Sequence, residues 1–250
     1  MGDLYELIQN IWIREVKLGD YDVRSLLICG ERKVLVWDTL SHPQDMTCFL
    51  PLIGDKELVI VYSHADWDHI WGTDGLPFKN ATVIGHTTCL ERFSGDVPIK
   101  LQEKIKKQEQ FKDVKLIAPT VTFDCELSID LGNISLQLHH LPGHTTDSIV
   151  AFIPEKGLLL MGDTIETPFP VVPRGDVLPP WIEGIKIWEK NPRVKTVIPS
   201  HGIIGGREIL QQNIKYLQSL ADGCDIQIPE DLTDFYRDTH KANILSRGFE

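Results

Sequence analysis

Directly behind the apolar run Leu58-Val59-Ile60-Val61-Tyr62, the six residues from His64 to His69 carry four side chains able to bind a metal: His64, Asp66, Asp68 and His69. They alternate with Ala65 and Trp67 at the mouth of an expected strand. Imidazole nitrogen and carboxylate oxygen suit zinc, iron or manganese, and a carboxylate also bridges two ions. Asp and His occur in ordinary turns after strands as well. What sets this cluster apart is that further donors recur downstream in matching contexts.

His144 lies in Leu141-Pro142-Gly143-His144-Thr145, behind Ile134 to Leu138. Asp163 lies in Met161-Gly162-Asp163-Thr164, behind Leu158 to Leu160, and His201 lies in Pro199-Ser200-His201-Gly202, behind Val194 to Ile198. Each follows an expected strand, where a sheet holds the donor rigid and a loop gives access. Together with the first cluster they make seven candidate ligands, about as many as two ions with an open position each require.

Period and composition predict strands at Ile8–Val16, Val23–Cys29, Lys33–Trp37, Leu58–Tyr62, Thr82–Ile84, Ile134–Leu138, Ser148–Ile153, Leu158–Leu160 and Thr196–Ile198. They predict helices at Gln44–Leu52, Ile99–Gln110, Trp181–Lys190, Gly206–Leu220 and Asp231–Leu245. Strands that alternate first with turns and then with helices favour a layered α/β domain over an all-β barrel. With no linker in sight, residues 1–250 are expected to form one domain. A short internal echo supports two related halves: an apolar strand ending in Asp38-Thr39 is followed by Ser63-His64, and one ending in Asp163-Thr164 by Ser200-His201. By that symmetry Asp38 either orients the first metal loop through hydrogen bonds or closes a plain strand-end turn.

The ordered series His64-x-Asp66-x-Asp68-His69, His144, Asp163 and His201 resembles the metallo-β-lactamase superfamily over nearly the whole chain. The resemblance implies a four-layer αββα sandwich with a dinuclear metal centre at one edge. One ion would be held by His64, Asp66 and His144, the other by Asp68, His69 and His201, with Asp163 bridging. Zinc is the expected ion. One position departs from the family, which commonly has His where this chain has Asp66; a di-iron, oxygen- and nitric-oxide-reducing branch has Glu there. Asp68 and Asp163 set two negative charges against the four positive of a divalent pair, and a bridging hydroxide leaves the centre at +1. Asp66 brings that sum to zero, which implies weaker polarisation of a substrate oxygen and a bias to iron or manganese. Alternatively, Asp66 points away and leaves its site weak.

Composition fits an enzyme-sized core, with 250 residues, 42% of them hydrophobic. Cys29, Cys48, Cys89, Cys125 and Cys224 are odd in number and scattered, which reads as free thiols in a reducing cytosol. The start, Met1-Gly2-Asp3-Leu4-Tyr5-Glu6, shows no signal-peptide pattern, and Glu6 stands where myristoylation favours Ser or Thr. No apolar run approaches the roughly 20 residues of a membrane span. These features predict a cytoplasmic protein without a membrane partner. A net charge of −11 disfavours nucleic acid. The basic stretch Lys100–Lys112 interleaves Glu103 and Glu109 and reads as a solvated amphipathic helix. The segment 231–245 packs on the core, caps the pocket or makes a subunit contact, so a homodimer stays open.

Several other residues are read more modestly. Trp71 belongs to the core or lines the substrate cavity, and His86 is assigned a structural hydrogen bond. His139 and His140 match no ligand position. Between Ile165 and Trp181, five prolines suggest a stiff loop over the metals. Phe169, Val171, Val172 and Trp181 would line an apolar wall there, with Arg174 free to meet an anion.

The expected chemistry is hydrolysis. Hydroxide bridging two ions attacks an ester, thioester, lactone, amide or phosphoester of a small-molecule substrate, and the metals stabilise the oxyanion. Asp68 is the catalytic residue, orienting the nucleophile and relaying a proton. Three rivals stand beside it: a di-iron oxygen-binding sensor, a weakly hydrolytic regulatory binding protein, and a nuclease, which the charge disfavours. Among hydrolases, β-lactam cleavage is the least expected, since no export signal is visible.

Overall fold

The computed structural model describes residues 2–175 and 177–248. One sheet holds seven strands in sequence order: β1 (Asp3–Ile8), β2 (Ile11–Leu18), β3 (Tyr21–Cys29), β4 (Lys33–Trp37), β5 (Glu57–Val61), β6 (Thr82–His86) and β7 (Val121–Phe123). The first four pair antiparallel, and β4 to β7 run parallel. The second sheet has the order β12-β11-β10-β9-β8, from β8 (Glu126–Asp130), β9 (Ser135–His140), β10 (Ile149–Ile153), β11 (Leu158–Gly162) and β12 (Thr196–Pro199). Only β11 and β12 are parallel there.

Helices α1 (Pro43–Met46), α2 (Leu50–Ile53), α3 (Trp67–Ile70), α4 (Thr87–Phe93) and α5 (Asp96–Lys107) lie between strands of the first sheet in the chain, and α6 (Leu178–Glu189), α7 (Glu208–Asp222) and α8 (Asp234–Ser246) follow β11. Side-chain alternation explains the layers. Leu35, Trp37, Val59 and Val61 pack inward against Leu136, Leu138, Ile149, Ala151 and Leu160 of the other sheet. Their neighbours Val34, Val36, Leu58 and Ile60 point outward to Phe49, Ile53, Ile70, Trp71 and Leu101. On the far side Val150, Phe152, Leu159 and Met161 meet Trp181, Ile185, Leu210 and Leu217. Strands covered on both faces read as unbroken apolar runs rather than as alternating ones. The result is the αββα sandwich the resemblance implies.

Three differences from the expected elements have local causes. Ile8–Val16 is not one strand: Asn10 turns the chain at φ 69°, a conformation Asn tolerates, and makes a hairpin of β1 and β2. Gln44–Leu52 divides into α1 and α2 around a short 3₁₀ turn, with Pro51 in the first turn of α2. Helix α6 begins earlier than expected, because Pro179 and Pro180 occupy its first turn, where no amide donor is needed. The short strands β7 and β8 and the helices α3 and α4 were not expected at all.

At the C-terminal edge of the parallel strands the two sheets are tied together. Ile149 N donates to Ser63 O at 2.8 Å and Arg24 N to Ser200 O at 3.0 Å, while Ser200 N is held within the second sheet by Gly162 O at 2.9 Å. All four donor-bearing loops leave the sandwich along this edge.

Candidate metal centre

His64 and Asp66 follow β5 directly, and Asp68 and His69 sit in the single turn of α3 that comes next. His144 follows β9, Asp163 is the residue after β11, and His201 comes two residues after β12. All seven expected residues converge. His64 Nε2 lies 3.7 Å from Asp66 Oδ2 and 3.7 Å from Asp163 Oδ2, while His144 Nε2 lies 3.5 Å and 3.7 Å from the same two atoms. On the other side His69 Nε2 is 3.6 Å from Asp68 Oδ1 and 3.3 Å from Asp163 Oδ2. His201 Nε2 is 3.7 Å from Asp68 Oδ2 and 3.2 Å from Asp163 Oδ2. Ligands about 2.1 Å from a tetrahedral ion stand about 3.4 Å from one another. Both sets have that spacing, and Asp163 Oδ2 belongs to both.

The imidazoles are held with Nε2 turned inward. His69 Nδ1 donates to Asp38 Oδ2 at 2.9 Å, His144 Nδ1 to Val171 O at 3.1 Å, and His201 Nδ1 to Asp22 O. Ser63 Oγ gives its proton to Asp38 Oδ2 at 2.7 Å and so accepts from His64 Nδ1 at 3.0 Å. Each Nε2 then carries a lone pair, as metal ligation needs. His64 Nε2, His69 Nε2 and Asp163 Oδ1 are buried without any hydrogen-bond partner. Orphaned polar atoms in such a place are costly unless something else satisfies them; cations meet that need, and the donor set fits them.

Without a cation the carboxylates draw protons onto the imidazoles. Burial opposes charge on His201 and His144, yet Asp163 on the first and Asp66 on the second outweigh it, lifting them to about 10 and about 9. Burial and the adjacent His69 push His64 well below the ordinary histidine range. Asp163 is held well below the usual carboxylate range: burial works against this, but His201 and His69 prevail.

Asp66 does not point away. Its Oδ2 faces His64 and His144, while Oδ1 accepts from Arg92 Nη2 at 2.5 Å and from Lys100 Nζ at 3.1 Å. Arg92 also pairs with Asp96 at 2.9 Å and donates to Asp147 Oδ1 at 2.9 Å, and Asp147 Oδ2 accepts from Ala65 N at 2.7 Å. This guanidinium was not anticipated; it sets a positive charge beside Asp66 that the sequence count left out, and shares it with Asp96 and Asp147.

Glu166 was also missed. It is 1% exposed and groups with His144 and Asp163. Its carboxyl accepts from Tyr236 Oη at 3.3 Å and from Val171 N at 3.3 Å. Burial pushes it up to about 7, with Asp163 adding and His201 and His144 subtracting. A charged residue inside the proline-rich stretch three positions past Asp163 was the available signal.

The remaining expectations divide. Asp38, fully buried at φ 59°, does orient the loop, accepting from Ser63 N at 2.7 Å besides His69. Trp71 is core, 1% exposed, and also lines a small cavity with Trp67 and Lys104. His86 has structural bonds, to Thr88 Oγ1 at 2.7 Å and Asp124 O at 2.8 Å. The apolar wall is a correction: Phe169, Val172 and Trp181 are buried among α6, α7 and α8, where the sheet offers more apolar surface than a cleft would. The loop reaches the centre through the carbonyl of Val171, and Arg174 is exposed.

A model of the metallo-β-lactamase superfamily matches residues 18–202. The type 2 metallo-β-lactamase of Bacteroides fragilis is 29% identical over 153 residues, 56% of this chain and 61% of that protein, so the chain spans about three fifths of that relative's length. Among solved structures, the metallo-β-lactamase of Pontibacter korlensis superposes with a TM-score of 0.66 at 18% identity, over 87% of this chain and 99% of that one. FIM-1 of Pseudomonas aeruginosa, in a mono-zinc form, gives 0.67 at 19% identity, over 87% and 95%. At such identities the structural likeness speaks for the fold.

Proposed function

The chain belongs to the metallo-β-lactamase superfamily of metal-dependent hydrolases, and from that premise we propose that it is a dinuclear hydrolase of small molecules bearing an ester, thioester, lactone or phosphoester. His64, Asp66 and His144 would hold one ion, Asp68, His69 and His201 the other, with Asp163 within reach of both. Two divalent ions, zinc by the family's habit, would lower the pKa of bound water toward neutrality and polarise the oxygen under attack.

The protein's own part is positional. Asp163 Oδ2, common to both donor sets, fixes their spacing. Asp68 sets its carboxylate between His69 and His201, where it orients the attacking water, accepts its proton and hands it to the leaving atom. Asp38, Asp22, Ser63 and Val171 keep the imidazoles from turning. The sharing of one Asp163 oxygen by two tetrahedrally spaced sets carries this reading.

Five unpaired cysteines, two of them exposed, fit a reducing cytosol. No described helix is long and apolar enough to cross a membrane. A net charge of −11 favours small substrates over nucleic acid.

A second reading, a di-iron oxygen-binding protein, draws on Asp66, which leaves each half of the site with two imidazoles and two carboxylates. Metal analysis, anaerobic optical spectra and a panel of thioesters, lactones, phosphodiesters and β-lactams separate the two. Two ions per chain and chelator-sensitive hydrolysis are expected. An oxo-bridged di-iron chromophore, or failure to bind any ion, would overturn the hydrolase.

A further inference from the structure

The carboxylate at Asp66 is not free to act as an ordinary anionic ligand. Oδ1 is occupied by Arg92 and Lys100, so only Oδ2 faces the imidazoles of His64 and His144. Asp68 differs: among the described residues its ion-pair contacts are His69 and His201, both expected ligands. The two halves of the centre therefore have the same donor types but different charge.

The Arg92 guanidinium is itself fixed. Its Nε and Nη2 grip Asp96 at 3.1 and 2.9 Å, and Nη1 reaches the fully buried Asp147. That carboxylate in turn holds Ala65 N, one residue from both His64 and Asp66. A charge pinned on three sides cannot swing away when an ion enters.

We propose that Arg92, assisted by Lys100, is a positioning residue that partly offsets the charge of Asp66, moving this carboxylate toward the neutral imidazole usual at that position while Asp96 and Asp147 share the same two cations. The inference rests on the dinuclear reading above. Its physical content is a sign. A cation behind a ligand carboxylate weakens the grip on the ion in front of it, while it preserves the net positive charge that makes the pair electrophilic. A unit charge about 6 Å from a divalent ion alters its binding by on the order of tenfold even at the dielectric of bulk water, and by more in the protein interior.

The test is competitive chelator titration of zinc on the full chain, resolving two binding steps, with wild type beside Arg92→Met, Arg92→Lys and Lys100→Met. The expected result is that Arg92→Met tightens one of the two steps by about tenfold or more and leaves the other unchanged. Arg92→Lys, which keeps the charge, stays near wild type. Lys100 is more exposed, and Lys100→Met tightens the same step by a few fold; it also serves as the readout if Arg92→Met, which strips Asp147 of its partner, fails to fold. Two steps unaltered in these charge-removing variants overturn the inference and leave the hydrolase reading standing. Loss of an ion on charge removal also overturns it, since Arg92 would then act by orientation alone. A wild-type chain that takes up no zinc overturns the functional reading and this inference with it.

Discussion

Asp38 stands behind His69, its Oδ2 accepting the Nδ1 proton at 2.9 Å while both side chains are fully buried. The same carboxylate takes Ser63 N and Ser63 Oγ, so one residue at the end of β4 orients His69 directly and His64 through Ser63. Its φ of 59° aims the side chain into the site rather than along the strand.

Replacing Asp38 by Asn isolates this role. Asn also tolerates the left-handed conformation, so the backbone is spared. The amide, however, sets a donor against the His69 Nδ1 proton or the Ser63 hydroxyl. Loss of such a partner typically costs about ten- to a hundredfold in metal affinity. Chelator competition should show that loss with little change in far-UV circular dichroism. Unaltered affinity would mean that His69 is held by packing alone.

Asp68→Asn probes the assigned proton relay. Asn keeps the shape between His69 and His201 but accepts no proton at neutral pH. Turnover on whichever substrate class is hydrolysed should fall by about a hundredfold or more, while the metal-free protein melts within a few degrees of wild type. A variant as active as its parent would remove Asp68 from the mechanism.

The donors were legible because metal chemistry admits few residue types and these stand behind apolar strands. Strands covered on both faces leave long apolar runs, so β4, β5, β10 and β11 were visible. What holds the donors in place was not. Arg92 sits in a short helix, and only the packing of α4 beside β6 and β7 brings it to Asp66. Asp22 and Val171 act through backbone carbonyls, which carry no residue signature. The Pro-rich loop misled because apolar side chains near a site and apolar side chains in the core look alike in sequence. Asn10 likewise sat unnoticed inside what read as one strand, because a single tolerant residue suffices for a hairpin.

Glu166 should make the metal-free protein sensitive to pH. Burial lifts its carboxyl from 4.5 to about 7, so between those values the folded chain keeps a proton that the unfolded chain releases. The contribution is complete below the unfolded value and lost as pH rises through the folded one. Glu166→Gln removes it. Denaturant unfolding of chelated samples should show little difference near pH 5, and near pH 8 the variant should be more stable by up to about 3 kcal/mol. Parallel pH curves for the two proteins would show that Glu166 is already ionised in the folded state.

Gly143→Ala tests how the turn before His144 is held. A Cβ there would lie 2.2 Å from Cγ and Cδ2 of Trp181, far inside contact distance. Trp181 cannot yield easily: it is fully buried, and its Nε1 donates to Thr164 O at 2.9 Å, one residue past Asp163. The turn must move instead, taking His144 from Asp66 and from the carbonyl of Val171. Overpacking of this kind costs about 1–3 kcal/mol. Because His69, Asp68 and His201 are anchored elsewhere, the variant should retain one zinc and lose the other, with a lowered melting temperature. Retention of both ions with an unchanged melting temperature would show that the helix α6 side of the site accommodates the methyl group, and that the glycine is not what sets the position of His144.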